Sequence, residues 1–372
     1  MLALHHAAIV VDGHNDLAWR LRRLWGLDLD PVRLDERWED GHTDIPRLRE
    51  GGVDVQFWAA YVPVRFMGPD ASRVAREQLD LITRLVSRYP DDLAMAYSVD
   101  DVRRITTGGR IASLIGVEGG HAIDDSLDVL RELYDSGARY LTLTHTATLD
   151  WVDAAGDLPR SGGLSEFGGE VIREMNRLGM IVDISHVTPG AMHAVLDASR
   201  APVIFSHSSA RALADHPRNV PDDVLARVRE NGGVVMVNFF PGFLTPEGTR
   251  SVEVLFAEEE RIRTEHPDPA SLRVALDRWH EDRRAVRGSV STIADHIEHI
   301  IGVAGVDHVG IGSDFDGVPI LPEGMEDVSR LPALTRELAR RGATHDEIRK
   351  VLGQNILRVF AEVERVSGVT SM

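Results

Sequence analysis

The chain has no cysteine. Disulfides, thiolate nucleophiles and cysteine-ligated zinc are thereby excluded. Lysine is nearly as scarce: Lys350, close to the C-terminal end, is the single one. A lysine Schiff base, or a carbamylated lysine bridging two metal ions, has almost no candidate. Long apolar runs are also missing, and no stretch approaches the roughly 18 residues that a membrane-spanning helix needs. The opening "MLALHHAAIVVDG" lacks the basic start and long apolar core of a secretory signal. The closing "VERVSGVTSM" lacks the hydrophobic tail that directs a lipid anchor. The expectation is a cytoplasmic protein with no membrane partner. Basic residues are outnumbered, 41 Lys and Arg against 59 Asp and Glu, for a formal net charge of −18. That excess argues against nucleic acid and anionic lipid as partners. Catalytic machinery must come from His, Asp, Glu, Arg, Ser or Tyr.

What is present is a regular alternation. Eight short apolar runs occur: "AAIVVDGH", "VDVQFWAAYV", "RIASLIGVEG", "RYLTLTHT", "MIVDISH", "PVIFSHSS", "GVVMVNFF" and "HVGIGSDFDG". Amphipathic stretches such as "SRVAREQLDLITRLVSRYP" and "GGEVIREMNRLG" separate them, with apolar residues at helical spacing. Glycine follows several of these stretches, as in "LYDSGARY" and "MNRLGMIV", which fits helix ends leading into strands. Near-continuous apolar strands alternating with helices imply a parallel sheet. Eight such units fit a (β/α)8 TIM barrel, and 1–372 reads as one catalytic domain. An open doubly wound sheet would want a glycine-rich phosphate loop after the first strand, and none is there. A charged helical insert at about 243–290 follows the seventh strand. That position predicts a place over the catalytic face, as a lid, a dimer contact or a solvated surface helix.

The opening motif "VDGHND" runs an apolar strand into Asp12, His14 and Asp16. Alternate strand residues share a face, so these three side chains are expected on one side. Buried together they need compensation, and a metal ion is one source of it. The other strands extend the pattern. The third ends in Glu118, the fourth in His145, the fifth in His186, the sixth in His207 and the eighth in Asp314, while the seventh ends near Asn238. Any one of these is adequately explained as a cap or a rim residue. Six of eight ionisable strand ends converging on one barrel mouth point to a site there. Three histidines and several carboxylates without thiolate suit zinc or a similar divalent ion, with manganese and cobalt also admissible. Two such ions need a bridging group. Glu118 is the natural bridge because lysine is unavailable. Asp314 is either a ligand or a general base and acid. Asp316 competes for that role, although Gly317 beside it suggests a turn. Arg218, in "HPRNVPDD", has the planar fork that binds carboxylates, or else makes a surface salt bridge. His5, His6, His42, His121, His216 and the histidines beyond His280 lack strand-end positions and read as surface or packing residues.

The motifs "VDGHND", "GVEGGHAI", "LTLTHT", "VDISHVTP", "FSHSSAR", "HPRNVPDD" and "GIGSDFDG" together resemble the membrane (renal-type) dipeptidases. These are binuclear zinc enzymes of the amidohydrolase superfamily. The resemblance runs from the first strand to "GQNILRVF". It implies that His14 and Asp16 hold one zinc, His186 and His207 the other, and Glu118 bridges both. It further implies that His145 polarises the scissile carbonyl or steadies the oxyanion, that Arg218 grips the substrate's terminal carboxylate, and that Asp314 carries the proton from the bridging water to the leaving amine. The implied activity is hydrolysis of dipeptides, with a D-residue tolerated at the second position. A homodimer is implied by resemblance only. From the residues alone, another metal hydrolase of the superfamily (a deacylase or lactonase) or a metal-dependent isomerase or epimerase stays open. The "HxD" start and the missing bridging lysine weigh against the former.

Overall fold

Each of the eight apolar runs forms a parallel strand, and the eight close on themselves. The computed structural model describes residues 1–38, 41–266 and 268–368; the last residues of the C-terminal segment read above, 369–372, lie outside them. In chain order the barrel strands are β1 (Val11–Asn15), β2 (Val55–Tyr61), β4 (Ile111–Glu118), β5 (Ala138–Thr142), β6 (Ile181–Asp183), β7 (Ile204–Phe205), β8 (Val234–Val237) and β9 (Val309–Ile311). Neighbours pair in that order, and β9 returns to β1. A further strand, β3 (Leu93–Met95), was not anticipated. Its three residues are too few to show a period. It pairs with Ile111–Ser113 at the start of β4, on the edge that β5 occupies from Ile115 onward. It is thus an appendage of the barrel and leaves the count of eight intact.

The strands are short because both of their faces are buried and their ends do other work. Residues pointing inward near the strand starts, among them Val11, Val55, Phe57, Leu114, Tyr140 and Met236, form one apolar cluster with Ile356, Val359 and Phe360 of the helix Asn355–Ser367. That helix seals the N-terminal end of the barrel, where Asn355 Nδ2 donates to the carbonyls of Val306 (2.7 Å) and Val309 (2.8 Å). The outward faces pack against the ring of helices in a second, larger cluster. Helix starts follow sequence signals: Ser98, Ser126, Ser165 and Thr188 each accept a first-turn N–H. Gly179 ends the helix Glu166–Leu178 in the left-handed region at φ 79°, as "MNRLGMIV" suggested.

The insert contains the helices Val252–Glu265 and Pro269–Asp282. Glu260 lies 3.2 Å from Arg23 of the helix Leu17–Trp25, and His280 Nε2 lies 3.3 Å from the Pro319 carbonyl. Both partners belong to segments that leave the C-terminal ends of strands.

His296 shows how the helical ring steadies that end. It is fully buried in the helix Val290–Ala304. Its Nδ1 accepts from Ala210 N (3.0 Å), in the loop after β7, and its Nε2 faces the Leu244 carbonyl (2.9 Å), in the loop after β8. One nitrogen must accept and the other donate, so the ring is neutral. Burial drives its pKa down to about 4. An unfolded histidine takes up its proton near 6.5, so between those values the unfolded chain binds more protons and stability falls as pH falls. His296→Gln should therefore lose less stability than the parent between pH 7 and pH 4.5, by about 2–3 kcal/mol. Urea unfolding at the two pH values measures this; equal losses in both proteins would contradict it.

Candidate active site

The strand ends deliver the predicted residues to one place. His14 lies within β1, and Asp16 stands just beyond it as the N-cap of the helix Leu17–Trp25, its N–H bonded to Phe315 O at 2.9 Å. Glu118 is the last residue of β4, and His145, His186, His207 and Asp314 follow the ends of β5, β6, β7 and β9. All but His145 are buried. Glu118 occupies the middle. Its Oε1 is 3.1 Å from His186 Nε2, 3.3 Å from His207 Nε2 and 3.8 Å from His145 Nε2. Its Oε2 is 3.6 Å from His14 Nε2, which in turn is 3.3 Å from Asp16 Oδ2. The ligand atoms form three overlapping groups: His14, Glu118 and His207; Glu118, His145 and His186; His14, Asp16 and Asp314.

Hydrogen bonds behind the rings show which nitrogens face inward. Ser206 Oγ donates to Asp183 Oδ2 (2.6 Å), so it accepts from His207 Nδ1 (2.8 Å). Tyr140 Oη lies 3.3 Å from the Gly13 carbonyl, to which it can donate, and 2.9 Å from His14 Nδ1, from which it can accept. In their neutral forms both imidazoles turn an Nε2 lone pair to the centre. His14 Nε2 is buried without a hydrogen-bond partner, and the Nε2 atoms of His186 and His207 stand only 2.9 Å apart. The lone pair of His207 Nε2 is met there either by an N–H of His186 or by a cation. Burial would lower His14, yet Tyr140, Glu118 and Asp16 together raise it well above the ordinary imidazole range. Burial would raise Glu118, yet His14 and His145 hold it well below the carboxylate range. Asp16 is pushed up to about 7 by burial. The centre attracts positive charge, and its oxygen and imidazole donors fit divalent metal ions.

Comparison with known proteins identifies the family. Residues 1–372 match the family model described as membrane dipeptidase, peptidase family M19. The chain belongs to the membrane dipeptidase family. It is a peptide-bond hydrolase of that metallo-dipeptidase class. Dipeptidase 3 of Rattus norvegicus is 41% identical over 98% of the chain, which spans about two thirds (67%) of that relative's length. Among solved structures, dipeptidase AC, a metallo peptidase, is 28% identical with a TM-score of 0.78, covering 97% of this chain and 99% of that one. A metallo peptidase from Rhodobacter sphaeroides, liganded with a phosphinate mimic of the dipeptide L-Ala-D-Ala, is 27% identical with a TM-score of 0.76, over 96% and 99% of the two chains.

Of the five described non-glycine residues with positive φ, three lie at or beside this dipeptidase-family centre, and the other two are Asp124 and Asp125. His186 (φ 70°), Asp314 (φ 66°) and Asp316 (φ 66°) all occupy the left-handed region. Each such non-glycine residue costs about 1–3 kcal/mol, which the surrounding structure must supply. Asp314 Oδ2 accepts from Asn238 Nδ2 (2.7 Å), and Asn238 Oδ1 accepts from Phe240 N (2.6 Å), which fixes the amide's orientation. Arg218 is 6% exposed, and among the described residues it forms no ion pair. Its Nη1 donates to Ser208 Oγ (3.2 Å) and its Nη2 to His207 O (3.1 Å), while its Nε has no partner. It is not the surface salt bridge that the sequence left open. Burial lowers its pKa to about 10, so it stays charged at neutral pH.

One sequence expectation fails. Asp12 does not join His14 and Asp16. Its Oδ1 accepts from Ser313 N (2.8 Å), and its Oδ2 from Ser313 Oγ (2.7 Å) and Gln56 Nε2 (3.0 Å). The register of β1 on β2 shifts between Asp12 and Asn15, and the strand ends before Asp16, so strict alternation does not carry through. Asp316 belongs to a turn as expected: its Oδ1 accepts from His42 N (2.9 Å). His5 packs between Thr335 and the Gly51 carbonyl, and His121 is buried. Tyr140, Asp183 and Ser206 are functional residues that did not stand out in the sequence. Neither did Tyr61, whose ring centroid lies 4.7 Å from that of His145. Parity along "RYLTLTHT" and "VDISH" was the available signal, since inward-pointing polar residues below a strand-end histidine have nothing else to bond.

Tyr140 can cross the barrel to His14 only because residue 116 is glycine. A Cβ at Gly116 would lie 1.8 Å from Tyr140 Cζ. Gly116→Ala should therefore destabilise by about 3 kcal/mol or more, the upper end of overpacking costs. Gly302→Ala meets no atom within 4 Å and should stabilise the helix Val290–Ala304 by about 0.5–1 kcal/mol. Denaturant unfolding of both variants checks the pair, and a neutral Gly116→Ala would show that Tyr140 is not locked in place.

Proposed function

We propose that the chain hydrolyses dipeptides bearing a free terminal carboxylate, at a centre of two divalent cations. Zinc is the cation that the donor set favours, and a D-residue is accepted at the second position. His14 and Asp16 would hold one cation, His186 and His207 the other, with Glu118 between them. When bound, the cations supply the nucleophile by lowering the pKa of a water they share.

The observation that carries the substrate reading is Arg218. A buried guanidinium with no carboxylate partner and an unused Nε–H is costly unless an anion completes it. A terminal carboxylate suits its planar fork and fixes the far end of the substrate. His145 has its pKa pushed down to about 4 by burial, so it is neutral at pH 7 and can donate an N–H to the oxygen of the tetrahedral carbon. Asn238 engages Asp314 Oδ2 and leaves Oδ1 to accept the proton of the attacking water. Delivering that proton to the departing nitrogen breaks the C–N bond to yield an acid and an amine. The relative's phosphinate ligand supports both parts of this reading. It is tetrahedral at phosphorus, as the attacked carbon would be, and it mimics a dipeptide with a D-residue second.

Two outcomes follow. Exhaustive chelation should abolish release of free amine from L-Ala-L-Ala and L-Ala-D-Ala, and Zn²⁺ should restore it, with Mn²⁺ and Co²⁺ compared alongside. Full activity in metal-free protein would refute the mechanism. Arg218→Ala should raise KM for free dipeptides about ten- to hundred-fold or more, and should erase the parent's preference for free acids over dipeptide amides. A variant that still prefers the free acid as the parent does would remove Arg218 from carboxylate binding.

A further inference from the structure

The loop that carries His145 also reaches His186, and one buried carboxylate organises it. Residues 143–165 leave β5, and Asp153 sits among them, 1% exposed. Among the described residues its carboxylate pairs with no cationic side chain; it gathers backbone instead. Oδ1 accepts from Arg160 N (2.6 Å), Ser161 N (2.8 Å) and Ser161 Oγ (2.9 Å), and Oδ2 accepts from Gly163 N (2.5 Å). Around it the loop folds on itself: Val152 bridges Leu164, and Thr148 Oγ1 accepts from Ala154 N (3.0 Å). The resulting platform docks on the segment that bears His186. Ala154 bridges Val187 in antiparallel fashion, Ala155 N donates to His186 O (2.7 Å), and Thr188 N donates to Asp153 O (2.9 Å).

We propose that Asp153 is a positioning residue for the cation on the His186 side of Glu118. It touches neither substrate nor metal. It acts through Ala155 and Val187, which hold the His186 backbone at φ 70°. Such a conformation persists only where its surroundings over-determine it, and the donors gathered by Asp153 make the platform rigid enough to do so. The other half of the centre does not depend on this loop. His14 is held by β1 and Tyr140, and Asp16 by Phe315. Loss of the Asp153 carboxylate should therefore loosen one cation and spare the other. Asp153→Asn is the sharp perturbation, because it sets an amide N–H against backbone N–H groups at constant volume.

This inference rests on the two-cation reading of the centre, and the experiment separates the two. Metal-free parent and Asp153→Asn are titrated with Zn²⁺ against a competing chelator. Co²⁺ loading is followed by its visible absorption. The parent should take up two equivalents. The variant should keep one step at parental affinity and weaken the other about ten- to hundred-fold, as loss of a group supporting a ligand does. Thr148→Val, which removes only the acceptor for Ala154 N, should weaken the same step by less. It carries the test alone if Asp153→Asn does not fold. Both steps unchanged, or both weakened equally, would overturn the positioning role. A parent that binds fewer than two cations would instead refute the two-cation reading.

Discussion

A carboxylate buried among four imidazoles is the constraint around which the rest of the molecule is arranged. Glu118 cannot sit 3.1–3.8 Å from the Nε2 atoms of His14, His145, His186 and His207 for its own sake. Glu118 is buried, and an uncompensated charge at such depth costs several kcal/mol. The imidazoles around it compensate that charge in part, since against burial His14 and His145 hold its pKa well below the carboxylate range. The bonds made by Tyr140 and Ser206 point the Nε2 atoms of His14 and His207 toward it. What results is a cluster of imidazole and carboxylate groups gathered at one point. Such a cluster attracts positive charge, which is why family membership and donor chemistry lead to the same metallo-dipeptidase conclusion.

The (β/α)8 scaffold is suited to this because it separates the two demands that a cation centre makes. Stability is met at the far end of the strands, where Tyr140, Phe57 and Met236 meet the helix Asn355–Ser367 in a dry apolar plug. Ligand geometry is met at the near end, where each residue is fixed by the termination of a strand and by bonds behind it. Tyr140 serves both demands. Its ring belongs to the plug while its hydroxyl fixes His14, and Gly116 leaves it the room to cross. The left-handed backbones of His186 and Asp314 show that geometry at the mouth was satisfied against local preference, and that neighbouring loops supply the difference.

This division explains what could be read in the sequence. Strand-end ligands were legible because an apolar run that stops at His or Asp is a local pattern, and six of them coincide. Arg218 was visible as a candidate only. Its burial, which distinguishes an anion-binding group from a surface ion pair, depends on the packing of Phe243 and the loop after β7. Asp183, Ser206 and Tyr140 were missed because each looks like ordinary strand composition until the barrel closes and places it beneath a histidine. Asp12 was misplaced for a related reason. Parity predicts a face only while register holds, and β1 shifts its register between Asp12 and Asn15. β3 escaped notice because three residues carry no periodicity.

Charge supplies the last link between scaffold and substrate. A net charge of −18 would disfavour an anionic ligand if it acted over the whole surface. Screening confines exposed charges to about 8 Å at physiological ionic strength, however, so the surface excess has little reach into a buried mouth. Local balance decides instead. Asp16, Glu118 and Asp314 set negative charge around the centre, and among the described residues Arg218 is the one buried cationic side chain bonded to His207, through its carbonyl. A dipeptide is itself divided in this way, with an anion at one end, a cation at the other and a neutral amide between. In the proposed reading its carboxylate would pair with Arg218, its amide would meet His145 and Asp314, and its amine would face the acidic side of the centre. A longer peptide would have to bury an uncharged continuation against the unused guanidinium. Under the proposed carboxylate role, the unpaired arginine would favour the shortest peptides, because any other ligand would leave its desolvation cost unmet.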